Sequence, residues 1–368
     1  MRSPGLKVGM WIALCSMTVS AALVFVPCAC AQGNESLPAV AGRQWAPIAH
    51  NTATHEFILF GGWGSRTMDD TWVWRERWMQ QTPTRHPEPR TQSAMAYDAE
   101  RGEVVLFGGI DQVSHRTTST SWAIVVKDPH TRYLDKGGNV LGNEVAYRDT
   151  WIWDGRDWTQ RDPARMPPAR WGHVMAYDAA RKQIVLFGGI DDSDRRLLND
   201  TWVWDGSIWE QKTPAHVPPA RAQHTMGYDR VHRQVILFGG SGPNGSNQCV
   251  LNDTWVWDGR DWINADPPGD LPEARCWAGM DYDLGRERVI LNGGTAFGAT
   301  GQGTGVDGPW AWDGDRWIRL DPQEYACCTG ITSEVSSEDA KRALVLAGGP
   351  GGPAILVRKV APEAGHDK

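Results

Sequence analysis

The side chains that could ligate a metal or shuttle a proton are few. His115 and His130, with Tyr133, Tyr147 and Tyr325, are imidazole and phenol donors of the kind copper or iron takes. Asp191, Asp192 and Asp194 gather three carboxylates in four residues, a density that suits calcium, although a short acidic run is more often a solvated loop. Cys249, Cys276, Cys327 and Cys328 could be thiols or disulfide partners. No Gly-rich phosphate cradle, Gly-x-Ser-x-Gly elbow or His-Glu-x-x-His helix is present. The remaining chemistry is that of binding, and it rests on an unusual supply of indole: 21 tryptophans in 368 residues.

What positions these residues is a repeat. Six Gly-Gly pairs, each closing a short apolar run, begin at Gly61, Gly108, Gly188, Gly239, Gly293 and Gly348. A period near fifty residues with this content marks the blade of a propeller. The one long interval, Gly108 to Gly188, is an ordinary period with an insertion over about 114–144. The unit from Arg170 shows the grammar. Val174-Met175-Ala176-Tyr177 and Gln183-Ile184-Val185-Leu186-Phe187 read as two strands joined by a polar turn, and the second runs into Gly188-Gly189. Asn199-Asp200-Thr201-Trp202-Val203-Trp204 makes a third strand, Asp205-Gly206 a tight turn, and Ile208-Trp209-Glu210-Gln211 a fourth.

The double glycine after the second strand, with spaced aromatics on the third and fourth, resembles the kelch motif family. The resemblance runs from about Arg43 to Gly349 and holds its register: the leading Arg precedes the first Gly by 18 residues in Arg43/Gly61, Arg90/Gly108, Arg170/Gly188, Arg221/Gly239 and Arg275/Gly293. It implies an all-β fold, a six-bladed propeller with four antiparallel strands per blade. Blades are expected to start near 43, 90, 170, 221, 275 and 330, with the propeller over 43–360 and a tail over 361–368. The sixth unit has Gly330 in place of the Arg and no tryptophan after Gly349. Its fourth strand is therefore expected from the segment 32–42, with Ser36 to Val40 pairing the two termini so that no edge is left open.

Fifteen tryptophans fall at repeat positions, three in each of five units, for example Trp202, Trp204 and Trp209. They are expected to pack neighbouring blades together, each indole burying about 150–250 Å². The leading Arg and the Asp of the Asp-Thr-Trp triplets are expected to be structural ion pairs. His173 and His224 share one repeat position, and both read as packed residues.

Without the leader's Trp11, five tryptophans remain: Trp45, Trp63, Trp122, Trp171 and Trp277. Strand alternation places all five at one end of the propeller, with the insertion and the loops that follow each Gly-Gly. In kelch domains the second residue after the leading Arg often points into the central pocket. Here those residues are Trp45, Gln92, Gly172, Gln223, Trp277 and Thr332. Trp45, Trp63, Gln92, Trp122, Trp171, Gln223 and Trp277 are accordingly the candidate ligand-binding residues, indoles and amides that suit sugar rings or peptide segments. Cys249 with Cys276 is the favoured disulfide, leaving Cys327 and Cys328 as a vicinal pair or two thiols. Four unpaired cysteines is the alternative.

Arg2 and Lys7, an apolar run from Val8 to Val26 and small residues around Ala29-Cys30-Ala31 read as a secretory signal peptide over 1–31. A retained membrane helix and a lipidated Cys30 are the rival readings. The formal charge of −7 becomes −9 once Arg2 and Lys7 are removed, which leaves no basic stripe for nucleic acid. The expectation is a secreted or periplasmic, non-catalytic module for a glycan or protein, with no cofactor, no metal and no membrane span after cleavage. The alternatives are a carbohydrate-active enzyme, either a sugar epimerase or an oxidase resembling galactose oxidase, and a structural surface-assembly protein. The residues do not reproduce the copper motifs of such oxidases, and they leave the oligomeric state open.

Overall fold

A computed structural model describes residues 43–359, apart from 76, 114–132, 135–139, 243–248, 266, 284–285, 298–302, 307, 322–330, 337–341 and 348–353. The described residues contain strands and turns and no helix, so none is long and apolar enough to cross a membrane.

Five sheets have four antiparallel strands each. The first blade is Ile48–Asn51, Glu56–Trp63, Thr67–Trp74 and Trp78–Gln81, and the second Ala94–Asp98, Glu103–Phe107, Thr150–Trp153 and Trp158–Arg161. The third is Val174–Asp178, Gln183–Phe187, Thr201–Trp204 and Trp209–Lys212, and the fourth Thr225–Asp229, Gln234–Ser241, Cys249–Trp257 and Trp262–Asn264. The fifth is Gly279–Asp283, Arg288–Asn292, Trp310–Trp312 and Trp317–Arg319. Within each blade every strand pairs with its successor in the blade, and the first strands of successive blades lie side by side.

The sixth unit corrects the expectation of six four-stranded blades. Ile331–Ser336, Arg342–Ala347 and Ala354–Lys359 form a three-stranded sheet. Ala354–Lys359 carries no Trp-x-Trp pair, and no Asp-Gly turn follows it to lead into a fourth strand. Ser36 to Val40, expected to complete that sheet, lie outside the described residues. In the insertion, Ile110–Val113, Tyr133–Leu134 and Val140–Ala146 form a small sheet of their own.

The repeated residues hold the blades in two ways. Within a blade, the leading arginine donates to the carbonyl of the first glycine of the pair, as Arg170 does to Gly188 at 3.0 Å. It also forks onto the aspartate of the Asp-Thr-Trp triplet, Arg170 Nη1 and Nη2 meeting Asp200 at 2.6 and 2.7 Å. Asp200 in turn accepts from the Trp202 indole at 2.7 Å. Arg43 with Asp70, Arg90 with Asp149 and Arg221 with Asp253 repeat the fork. Although burial opposes ionisation, bonds from the guanidinium and the indole hold Asp70, Asp200 and Asp253 below the usual carboxylate range.

Between blades, the second glycine donates to the next leading arginine: Gly62 to Arg90, Gly109 to Arg170, Gly189 to Arg221 and Gly240 to Arg275, each at 2.9 Å. The first glycine is needed for that approach, because a Cβ on Gly61 would lie 2.6 Å from the Arg90 carbonyl oxygen. The fourth-strand tryptophan meets a phenylalanine of the previous blade, edge-on in three cases and tilted for Trp209. Trp158 packs on Phe60 at 5.4 Å between centroids, Trp209 on Phe107 and Trp262 on Phe187 at 5.2 Å, and Trp317 on Phe238 at 5.5 Å. Trp158, Trp209 and Trp262 have no exposed surface. Burial of this size contributes at most about 4–6 kcal/mol per indole.

Candidate functional site

The loops after each Gly-Gly run antiparallel to the segments after each leading arginine. Gln44 bridges Trp63, Thr91 bridges Ile110, Trp171 pairs Ile190, Ala222 bridges Ser241 and Cys276 bridges Thr295. These segments therefore share one end of the propeller, the end to which the alternation of the strands assigns the surplus tryptophans.

At that end the residues two after the arginines form a belt around the axis. The amide of Gln92 donates to the Trp45 carbonyl at 3.0 Å, Gly172 to Gln92 at 2.9 Å, Gln223 to Gly172 at 2.7 Å and Trp277 to Gln223 at 2.9 Å. All five are in the left-handed region, with φ of 54° at Trp45, 53° at Gln92, 64° at Gly172, 58° at Gln223 and 53° at Trp277. A non-glycine residue there costs conformational energy, and such residues cluster where a site needs a side chain aimed in one direction. The glycine at this register in the third blade is the signal in the sequence that the position demands positive φ.

The belt is the mouth of an axial cavity of about 880 Å³ lined by the first strands of the five blades. Trp45 and Trp277 meet across the mouth with centroids 6.5 Å apart and planes tilted by 40°. Gln92 and Gln223 flank Gly172, and a Cβ on that glycine would touch Gln92 Oε1 at 3.6 Å and Gln223 Cγ at 3.7 Å. The Oε1 atoms of Gln92 and Gln223 and the Ser93 hydroxyl are buried without a protein hydrogen-bond partner. Buried acceptors in that state call for donors from water or a ligand. Behind the belt, His173 and His224 line the cavity and are buried. Burial, then the Arg170 charge, lowers His173 to about 3, and burial, then Arg221, lowers His224 as well, so both are neutral. The charged residues of the lining, Asp281, Arg230 and Arg233, come after the belt and the histidines in their segments.

Trp45, Gln92, Gln223 and Trp277 are thus brought together. Trp63 and Trp171 are not part of the cavity wall. Trp171 is buried and lies under the Arg195 guanidinium at 5.5 Å, which packs it into the loop layer. Trp122, Cys327 and Cys328 lie outside the described residues. Cys249 and Cys276 are joined by a disulfide that ties the third strand of blade four to the segment leading into blade five. Of the phenols considered for metal binding, Tyr147 lies under the Arg90 guanidinium at 4.1 Å and serves the scaffold. Among the described residues no three His, Cys, Asp or Glu side chains converge as a metal site. Sequence reasoning missed Ser93, which carries no signal beyond its repeat position. His173 and His224 are packed as expected, edge-on to Phe107 and Phe187 at 5.6 Å, and they line the cavity as well.

A family profile, the KLHDC2/KLHL20/DRC7 kelch-repeats domain, matches residues 131–301. That span takes in the third and fourth blades and parts of the second and fifth. Its Gly-Gly, arginine and tryptophan positions, in register on four-stranded blades, support a kelch-repeat β-propeller, to which the chain is similar over that span.

Proposed function

We propose that this propeller is a non-catalytic module that binds a protein ligand outside the cytoplasm, through the loop-bearing end and the axial mouth. A kelch propeller is itself a scaffold for protein binding. The observation that carries the reading is the belt: four side chains, Trp45, Gln92, Gln223 and Trp277, held in left-handed backbone around a cavity mouth. Rigid aromatic surface beside unpaired acceptors is what a docking side chain or a turn of peptide needs. The location rests on the leader-like segment 1–31 and on the Cys249–Cys276 disulfide, a bond that persists in oxidising compartments.

A glycan is the second reading, favoured by one feature. The two indoles offer an apolar platform beside the amide acceptors, and among the described residues none at the belt positions is charged. The ring would be closed by pairing 36–40 with the sixth sheet.

The test is a protein and glycan binding screen of residues 32–368, repeated with Trp45→Ala and Trp277→Ala. Binding should weaken at least about tenfold in each, as for loss of a central aromatic anchor, while the thermal midpoint changes little. Undiminished binding in both variants would remove the mouth from the ligand site.

A further inference from the structure

The fifth blade breaks the arginine fork in two places. Two residues before the first tryptophan of the third strand, the first four blades have Asp70, Asp149, Asp200 and Asp253, whereas the fifth has Gly308. Arg275 keeps its bonds to the Gly293 and Glu273 carbonyls at 3.0 Å, but its Nη2 is buried without a partner. The second change is on the fourth strand. The residue paired with that tryptophan is Gln80, Gln160, Gln211 or Asn264 in the first four blades and Arg319 in the fifth. A carboxylate has become glycine and a neutral amide has become a cation. Both changes add positive charge to the same spot.

Arg319 is directed at that spot. A Cβ on Gly308 would lie 3.6 Å from its Nε and 3.9 Å from its Nη2, and its guanidinium sits 5.9 Å from the Trp310 ring centroid. Burial, and then the nearby Arg319 charge against the opposing pull of Glu273, brings Arg275 down to about 10. Leaving a buried guanidinium without a hydrogen-bonded carboxylate is expensive. In the other blades that carboxylate is 17–26% exposed, so a group held by this fork is reached by solvent there.

We propose that Arg275 and Arg319 form a binding site for a small organic carboxylate, held bidentately where the other blades place an aspartate. Planar two-point recognition is the geometry that arginine favours and that the four intact forks display at 2.6–2.9 Å. The proposal does not depend on the axial mouth.

The test is the thermal midpoint of residues 32–368 in sodium acetate replaced stepwise by sodium chloride at constant ionic strength. Acetate should raise the midpoint saturably by a few degrees. Arg319→Gln, an exposed position that should fold normally, should weaken the apparent acetate affinity about tenfold, and Arg260→Gln, on the hairpin of blade four, should leave it unchanged. Two results would overturn the proposal: a wild-type midpoint indifferent to the exchange of chloride for acetate, or a response that Arg319→Gln retains in full. Asp307 directly precedes Gly308 and lies outside the described residues. An acetate response that appears only in Asp307→Asn would overturn the proposal too, by assigning the site to the chain's own carboxylate.

Discussion

The indole of Trp158 in the second blade donates to the hydroxyl of Thr71 in the first at 2.9 Å, in a contact sealed from solvent. Trp209 to Thr150, Trp262 to Thr201 and Trp317 to Thr254 repeat the bond at 2.8–2.9 Å. The threonine of each Asp-Thr-Trp triplet is therefore an acceptor for the next blade. Thr201→Val keeps the shape and removes that acceptor, leaving a buried N–H unpaired. It should cost about 1–3 kcal/mol in urea denaturation; a loss below about 0.5 kcal/mol would mean that the bond is incidental.

The Asp-Gly turns also touch their neighbours. Gly155, Gly206 and Gly259 have φ of 97°, 97° and 98°, so backbone strain on substitution by alanine is shared by all three. Arg101 lies against Gly206 and Arg181 against Gly259, while nothing lies within 4 Å of where a Cβ on Gly155 would be. Gly206→Ala should therefore cost more than Gly155→Ala. Combining it with Arg101→Ala should bring the two costs together, and equal costs without that second change would refute the contact.

The buried histidines make stability depend on pH. In the unfolded chain His173 and His224 bind protons near 6.5, whereas in the folded protein His173 waits until about 3 and His224 is also lowered. Between those values the unfolded state holds more protons, so stability falls as pH falls below 6.5. The aspartate forks contribute their own loss only below about 4, their ordinary range. Replacing both histidines by phenylalanine should lessen the slope of the urea midpoint between pH 6.5 and 4.5, the remainder belonging to His50, which burial lowers to about 4. An unchanged slope would show that these rings are protonated in the native state.

Reduction should be felt at the join of the fourth and fifth blades. The Cys249–Cys276 bond spans 27 residues, and loop-closure entropy for that length gives about 3–4 kcal/mol. Denaturation with and without reductant should differ by that order, and Cys249→Ser should abolish the difference. A reductant effect that survives in Cys249→Ser would place the important thiol chemistry elsewhere.

The repeat was readable because its residues recur at fixed spacing, and the spacing follows from real contacts. Arg170 lies 18 residues before Gly188 because its guanidinium caps that carbonyl. The sixth unit supplies the three strands its own sequence offers, and the fourth strand expected from Ser36 to Val40 lies outside the described residues, so five four-stranded blades stand where six were expected. At the mouth, the meeting of Trp45 with Trp277 follows from their common register. The division of the surplus tryptophans follows register too: Trp171 is one residue after Arg170, Gly172 holds the belt position of that unit, and the Trp171 indole packs under Arg195 in the loop layer.

Because the belt from Trp45 to Trp277 is laced through peptide groups, its backbone spacing does not depend on which side chains it bears. Exchanging one of the four non-glycine residues would alter the chemistry presented at the opening while leaving those peptide bonds in place. Chemical preference and mechanical integrity can then drift separately, which makes this rim a natural place to graft new specificities.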